Sequence, residues 1–198
     1  MKTKSLALSG LTILLASTLV ACSSGNEPSS QSSEKPKDVS TKTVKKKNKS
    51  TNKIPTDDKH EWFFKDNVFY AGMETYKLTK SEIHDGIEDG TKVLVIYTDV
   101  TNNSKKEQDP SNVYMVVHAK QKNETSNVEL NPGMVALDAE GNNPLQEYED
   151  NLHNNLLPGK TVTCVLEFEI DKDNTNPVTV EFENSDFDKI GTKTYQIN

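Results

Sequence analysis

The sequence predicts an all-β fold, an antiparallel β-sandwich, and three observations point to it. Short runs rich in β-branched and aromatic residues recur from residue 60 to residue 198. Turn formers separate them: Asp109-Pro110, Asn131-Pro132-Gly133, Gly141-Asn142-Asn143-Pro144, Leu157-Pro158-Gly159 and Asn176-Pro177. No long stretch shows clear helical periodicity, and a region of this length is sufficient for one sandwich core.

The elements follow in order. Trp62-Phe63-Phe64 and Val68-Phe69-Tyr70 open the folded region. Thr75 to Ile83 places Tyr76 and Leu78 on one face. Lys92 to Thr101 (KVLVIYTDVT) is the strongest strand, apolar on both faces at its centre, and Asn102-Asn103-Ser104 turns the chain after it. Val113 to Ala119 (VYMVVHA) is a near-continuous apolar run and is expected to be a strand throughout. Pro144 to Leu157 spaces Leu145, Tyr148, Leu152 and Leu156 by threes and fours, which allows one short helix or turn. Thr161 to Ile170 (TVTCVLEFEI) reads as buried at its start and alternating at its end, with Glu167 and Glu169 on the exposed face. Val178 to Phe182 and Thr194 to Ile197 close a set of about seven strands.

Charge divides the chain into three parts. The 198 residues carry 23 Lys+Arg, 30 Asp+Glu and a net charge of -7. Every basic residue is Lys, which excludes an arginine finger or a bidentate guanidinium clamp on phosphate. Residues 60–198 hold 12 Lys against 25 Asp+Glu, a net of -13, so this head is expected to repel nucleic acid and anionic polymers. Residues 23–59 hold 9 Lys against 5 Asp+Glu, a net of +4. That stretch (residues 22–59 with its leading Cys) is Ser/Lys-rich with Val39, Val44 and Ile54 as its only large apolar residues, and it reads as a disordered tether. Its run Lys45-Lys46-Lys47-Asn48-Lys49 reads as a solvated linker, with anionic lipid or wall polymer as the functional alternative.

Residues 1–21 have the layout of a secretory signal: Lys2 and Lys4, an apolar stretch from Leu6 to Val20, then small residues. Leu19-Val20-Ala21-Cys22 resembles the bacterial lipobox. That resemblance implies cleavage between Ala21 and Cys22 and lipidation of the Cys22 thiol. It places the mature protein on the outer face of a bacterial cytoplasmic membrane. Two or three acyl chains would make such an anchor stable, whereas one is marginal at about 0.8 kcal/mol per buried CH₂.

The span from Val68 to Glu183 resembles the immunoglobulin-like domain of small Gram-positive surface lipoproteins of unknown function. Four stretches carry the likeness: KVLVIYTDVTNNSKK, VYMVVHAKQ, the Leu-Pro-Gly-Lys turn feeding TVTCVLEFEI, and PVTVEFEN. Val100, Asn102, Pro158 and Gly159 match that family's pattern. The resemblance implies an immunoglobulin-like sandwich at a cell surface and carries no activity, so no functional residue transfers. The Arg-free, Lys-rich composition fits the same source.

A search for chemistry yields little. Cys164 has no partner for a disulfide once Cys22 is lipidated, and alternation puts it on the core face. His60, His84, His118 and His153 lie far apart, with no metal-ligand spacing. Asp171 to Asn176 places Asp at the first and third positions of a calcium-type loop but lacks the later Gly and Glu, so it reads as a hairpin turn. Glu82, Asp85, Glu88 and Asp89 read as a solvated loop, and Glu147, Glu149 and Asp150 as a polar helix face. Glu167 and Glu169 have roughly the spacing of an inverting carboxylate pair, but alternating Glu on an exposed strand is far commoner. Trp62-Phe63-Phe64 reads as a plug for the open end of the sandwich, with a binding patch as its alternative.

The expectation is therefore a lipid-anchored, non-catalytic binding module, with no catalytic residue, metal or cofactor. Its partners are the membrane, through the anchor, and an envelope, wall or host protein. Two alternatives stand beside it. One is a phage-immunity-type lipoprotein docking on an envelope protein, by analogy with related prophage-encoded proteins. The other is a solute-binding lipoprotein, which needs a deep pocket with convergent polar groups.

Overall fold

The computed structural model describes residues 53–197. The expected signal segment, Cys22 and the expected tether up to residue 52 lie outside the described residues. Nine strands form: β1 (Phe63–Lys65), β2 (Val68–Ala71), β3 (Glu74–Asp85), β4 (Thr91–Asn102), β5 (Val117–Lys122), β6 (Asn127–Glu129), β7 (Thr161–Asp171), β8 (Val178–Glu183) and β9 (Lys189–Tyr195). One sheet runs β1-β2-β3-β4-β7 and the other β6-β5-β8-β9. All pairings are antiparallel. With β3, β4 and β7 in one layer and β5, β8 and β9 in the other, this is the strand arrangement of an immunoglobulin-like sandwich. Strand β1 falls on the Trp62-Phe63-Phe64 run, whereas β6 falls on no expected run, because a three-residue strand leaves almost no periodic signal.

The two layers bury one apolar core. Phe69, Tyr76, Leu78, Leu94, Ile96 and Val100 face Val117, Ala119, Val178, Val180 and Phe182, with Cys164, Leu166, Phe168 and Ile170 completing the wall. Each large aliphatic or aromatic side chain so buried stabilises the fold by roughly 1.5–3 kcal/mol before entropy is counted. The apolar character of β4 on both faces has a second cause. Val93, Val95 and Tyr97 point out of the sandwich and meet Val135, Leu145, Val165 and the ring of Tyr148 in a smaller outer cluster. Helix α1 (Gln146–His153) lies along β7, giving Leu152 to the main core and Tyr148 to the outer one. Leu145 and Tyr148 close on Tyr97, whose ring meets that of Tyr148 edge to face at 5.3 Å between centroids.

A strap of chain, residues 131–136, bridges the same sheet. It starts on the edge of β7, where Glu169 N donates to Asn131 O and Gly133 N to Glu167 O. It ends on β3, where Ile87 N donates to Met134 O and Ala136 N to Asp85 O. Between them it crosses β4 at Val93. A Cβ on Gly133 would lie 3.0 Å from Glu169 N and 3.2 Å from Val93 Cγ2, so only Gly lets the strap lie this close.

Three expectations need correction. The run Val113 to Ala119 is not one strand. Residues Pro110–Met115 form a 3-10 helix, and β5 starts at Val117. Asp109 caps it by accepting from Ser111 N, and Pro110 supplies a preset φ at its first position. The Asp171 to Asn176 segment is not a hairpin turn, since β7 and β8 belong to different sheets. It carries the chain across the sandwich and is held by Gln121, whose side chain donates to Asn176 O at 2.7 Å. Finally, β7 starts exposed at Thr161, and Glu167 is not on an exposed face: it is only 5% exposed, because the outer cover lies over it.

The chain comes into the sandwich beside the β2–β3 turn. Ile54 and Thr56 lie against Thr75, Lys77 and Asp99 of the outer sheet face, and His60 N donates to Tyr70 Oη. Tyr70 Oη in turn donates to Asp57 O. Trp62, Phe63 and Phe64 are half-buried rather than free. Phe64 stacks on Phe182 with 3.9 Å between centroids, and Trp62 meets Phe69 edge to face.

Candidate functional site

The two sheets differ in what covers them. The outer face of β2-β3-β4-β7 carries the lead-in segment, α1 and the strap. Among the described residues, the outer face of β6-β5-β8-β9 carries only its own side chains, which are polar: His118, Lys120, Thr179, Glu181 and Glu183, with Lys189 at the edge. These charges pair with one another. Lys120 Nζ lies 2.7 Å from Glu181 Oε2, and Lys189 Nζ lies 3.4 Å from Glu181 Oε1. The hydrogen bond from Lys120 holds the Glu181 carboxyl below its ordinary range. His118 sits between two carboxylates, with Nδ1 3.0 Å from Glu129 and Nε2 3.7 Å from Glu183. Such surface pairs contribute about 0–1 kcal/mol each, so their effect is to set the pattern of charge on the face. Beside His118, a recess of about 240 Å³ opens between Tyr114, Leu130, Pro132 and Phe168.

The second surface is the end of the sandwich opposite the incoming chain. Lys172 N donates to Gly90 O at 3.1 Å, which joins the β3–β4 turn to the β7–β8 crossing. Two acidic segments that are distant in sequence thus become neighbours: Asp85, Glu88 and Asp89 from one, Asp171 and Asp173 from the other. The strap adds Met134, which is exposed and accepts from Ile87 N through its backbone O. Among the described residues no group of three or more His, Cys, Asp or Glu is arranged to hold a metal ion.

The remaining expected positions are scattered. Cys22 and Ala21 lie outside the described residues. Cys164 is fully buried in the main core, and burial pushes its thiol up to about 12. His60 contacts Asp57, His84 contacts Glu82, and His153 ends α1, so the four His residues do not converge. Glu167 and Glu169 both bond the strap through their backbones, but their side chains differ: Glu169 is half-buried, whereas Glu167 is buried beneath the outer cover next to Glu149. Burial first, and the Glu149 carboxylate second, push Glu167 up to about 8. One of its oxygens has no partner among the described residues. The available signal was β4: a strand apolar on both faces requires a cover, and that cover extends over its neighbour β7.

Asn102, matched above as part of a family pattern, is a structural hub. Its amide donates to Lys106 O and Leu156 O, both at 2.7 Å, and its Oδ1 accepts from Ser104 N and Oγ. Its backbone O accepts from Gly159 N, where φ is +69°.

A family model described as a domain of unknown function (DUF5067) matches residues 26–184. A search among curated proteins returns no match. Among solved structures, a candidate lipoprotein of Staphylococcus aureus superposes with a TM-score of 0.59 at 12% identity, over 69% of this chain and 92% of that one. A protein from Enterococcus faecalis reaches 0.56 at 16% identity, over 70% and 94%. A β-sandwich protein of Clostridium difficile gives 0.43 at 13% identity, over 74% and 98%. At these identities the likeness is one of fold. Among the described residues, no helix is long and apolar enough to cross a membrane.

Proposed function

The chain belongs to the DUF5067 family, and on that premise we propose that it is a lipid-anchored surface protein whose sandwich is a non-catalytic binding module. In this reading Cys22 carries the acyl chains on the outer face of the cytoplasmic membrane. The sandwich presents a bare sheet face and a set of loops to an envelope, wall or host protein. The observation that carries the reading is the direction in which the chain enters. Residues 53–62 arrive at one end, beside Gly72, so the β3–β4 turn and the β7–β8 crossing project from the other. The Leu19-Val20-Ala21-Cys22 sequence and the lipoprotein character given to the staphylococcal relative support the anchor. Rigid strands carrying loops suit recognition without chemistry.

The test is fractionation of intact cells carrying either the native chain or Cys22→Ala, with cross-linking on the same cells. The native chain should stay with the membrane and the variant should pass to the medium. Equal distribution of the two would overturn the anchor. An anchored chain that enriches one envelope or wall protein supports the module.

A further inference from the structure

We propose that the end of the sandwich farthest from the incoming chain is a docking surface for a cationic polypeptide segment that carries apolar side chains at its centre. The proposal rests on the reading of the head as a binding module, but not on the lipid anchor.

Its centre is apolar by construction. Ile87 and Met134 are direct neighbours on two hydrogen-bonded segments, with Ile87 N donating to Met134 O at 2.9 Å, and Gly86 pairs with Val135 beside them. Ile87 is 48% exposed and Met134 43%. Single exposed apolar residues are ordinary on any surface. These two adjoin each other on bonded segments, at the end presented away from the attachment.

Its rim is acidic, although Asp171 Oδ1 accepts from Asp173 N within its own segment. Asp85, Glu88 and Asp89 flank Ile87 along the turn, and the bond from Lys172 N to Gly90 O brings the segment of Asp171 and Asp173 to that turn, with Lys92, Lys122 and Lys172 the nearby cations. None of these five carboxylates takes part in an ion pair among the described residues. On the bare sheet the opposite holds, since Glu181, Glu183 and Glu129 are each paired with Lys or His of the same face. The unpaired charge at the far end therefore remains to be matched by a partner. A polypeptide with Lys or Arg around an apolar centre supplies that complement. The charges would speed encounter and make it salt-dependent, and burial of Ile87 and Met134 would slow release.

The experiment uses the purified Cys22→Ala chain and three short peptides: Lys/Ala with a central Leu pair, the same with Glu for Lys, and Lys/Ala without Leu. Binding is titrated at low and moderate salt and mapped by amide chemical shifts. The first peptide should bind and shift amides of the β3–β4 turn, the strap and the β7–β8 crossing, and the Glu peptide should not bind. The double variant Ile87→Ser, Met134→Ser should weaken binding by about tenfold. Glu88→Lys, Asp89→Lys should weaken it similarly and flatten its salt dependence. Glu129→Lys on the bare sheet should leave it unchanged. All altered side chains are exposed, and an unchanged unfolding midpoint confirms that each variant is folded. Equal affinity of the Ile87/Met134 variant and the native side chains would reduce the effect to diffuse attraction and overturn the proposal. So would shifts centred elsewhere. Self-association that disappears when Lys45, Lys46, Lys47 and Lys49 are replaced by Ser would assign this end to the chain's own basic segment, and would also overturn it. A chain that passes this test but fails fractionation loses only the anchor. An anchored chain that fails this test loses only this surface.

Discussion

Asn102 shows how one side chain holds an end of the fold. It is fully buried and satisfies carbonyls from two separate loops. Asn102→Ala takes one of two donors from each of Lys106 O and Leu156 O, which keep Ser104 Oγ and Gln108 N, and removes the acceptor of Ser104 N, so it should cost about 2 kcal/mol in denaturant unfolding. A loss under half that size would show that these loops close without it. Glu167 provides a pH test at the same scale. Its carboxyl is raised from an ordinary value near 4.5 to about 8 in the folded state. The folded state thus binds the proton more tightly, and this contribution to stability is complete below about 4.5 and lost as pH rises through about 8. Glu167→Gln keeps the shape of the protonated group. Its unfolding midpoint should match the native chain near pH 4, below the ordinary value of about 4.5, and exceed it at pH 8. A constant difference between the two across that range would count against the assignment.

The elements differ in how legible they were. Lys92 to Thr101 declared β4, and Leu145, Tyr148, Leu152 and Leu156 declared α1, because burial on a defined face leaves a period. The strap left none. Residues 131–136 take their shape from backbone bonds to β7 and β3, and Asn-Pro-Gly reads as an ordinary turn. For the same reason Glu167 read as solvent-facing, since alternation reports two faces but not what lies on each. In Val113 to Met115, the cap from Asp109 and the fixed φ of Pro110 outweighed a strand-like composition. The surfaces were legible only as fragments. Asp85 to Asp89 and Asp171 to Asp173 were both visible, but their meeting depends on the hydrogen bond between Lys172 and Gly90. The strap itself can be tested. Gly133→Val sets side-chain atoms against the backbone of Glu169 and should cost about 2 kcal/mol by overpacking. It should also expose Val93 to faster hydrogen exchange around β4. A neutral Gly133→Val would mean that the strap can lift without consequence.

For the molecule as a whole, Cys164 is a built-in reporter. It is fully buried where the two layers meet, and its thiol is raised to about 12 by burial. With an excess of an aromatic disulfide reagent, the Cys22→Ala chain should be labelled at the rate of global unfolding, independent of reagent concentration. Labelling proportional to reagent would reveal a local opening at β7. The direction of the fold has a further, mechanical meaning. A pull on the incoming chain reaches β1 first and acts along its length. Its pairs Phe63↔Tyr70, Phe64↔Phe69 and Lys65↔Val68 then share the load instead of opening one after another. Behind β1 lie the two ladders of β3 with β4 and β4 with β7, each of 11 pairs. Tension would therefore draw out β1 and its turn, residues 63–67, and break the stack of Phe64 on Phe182 before it opened those ladders. That release adds about 10 Å of slack, at roughly 3.3 Å per residue over five residues less the two-residue offset that β1 already spans. The short first strand is thus a mechanical fuse, yielding length under strain while the sandwich behind it stays shut.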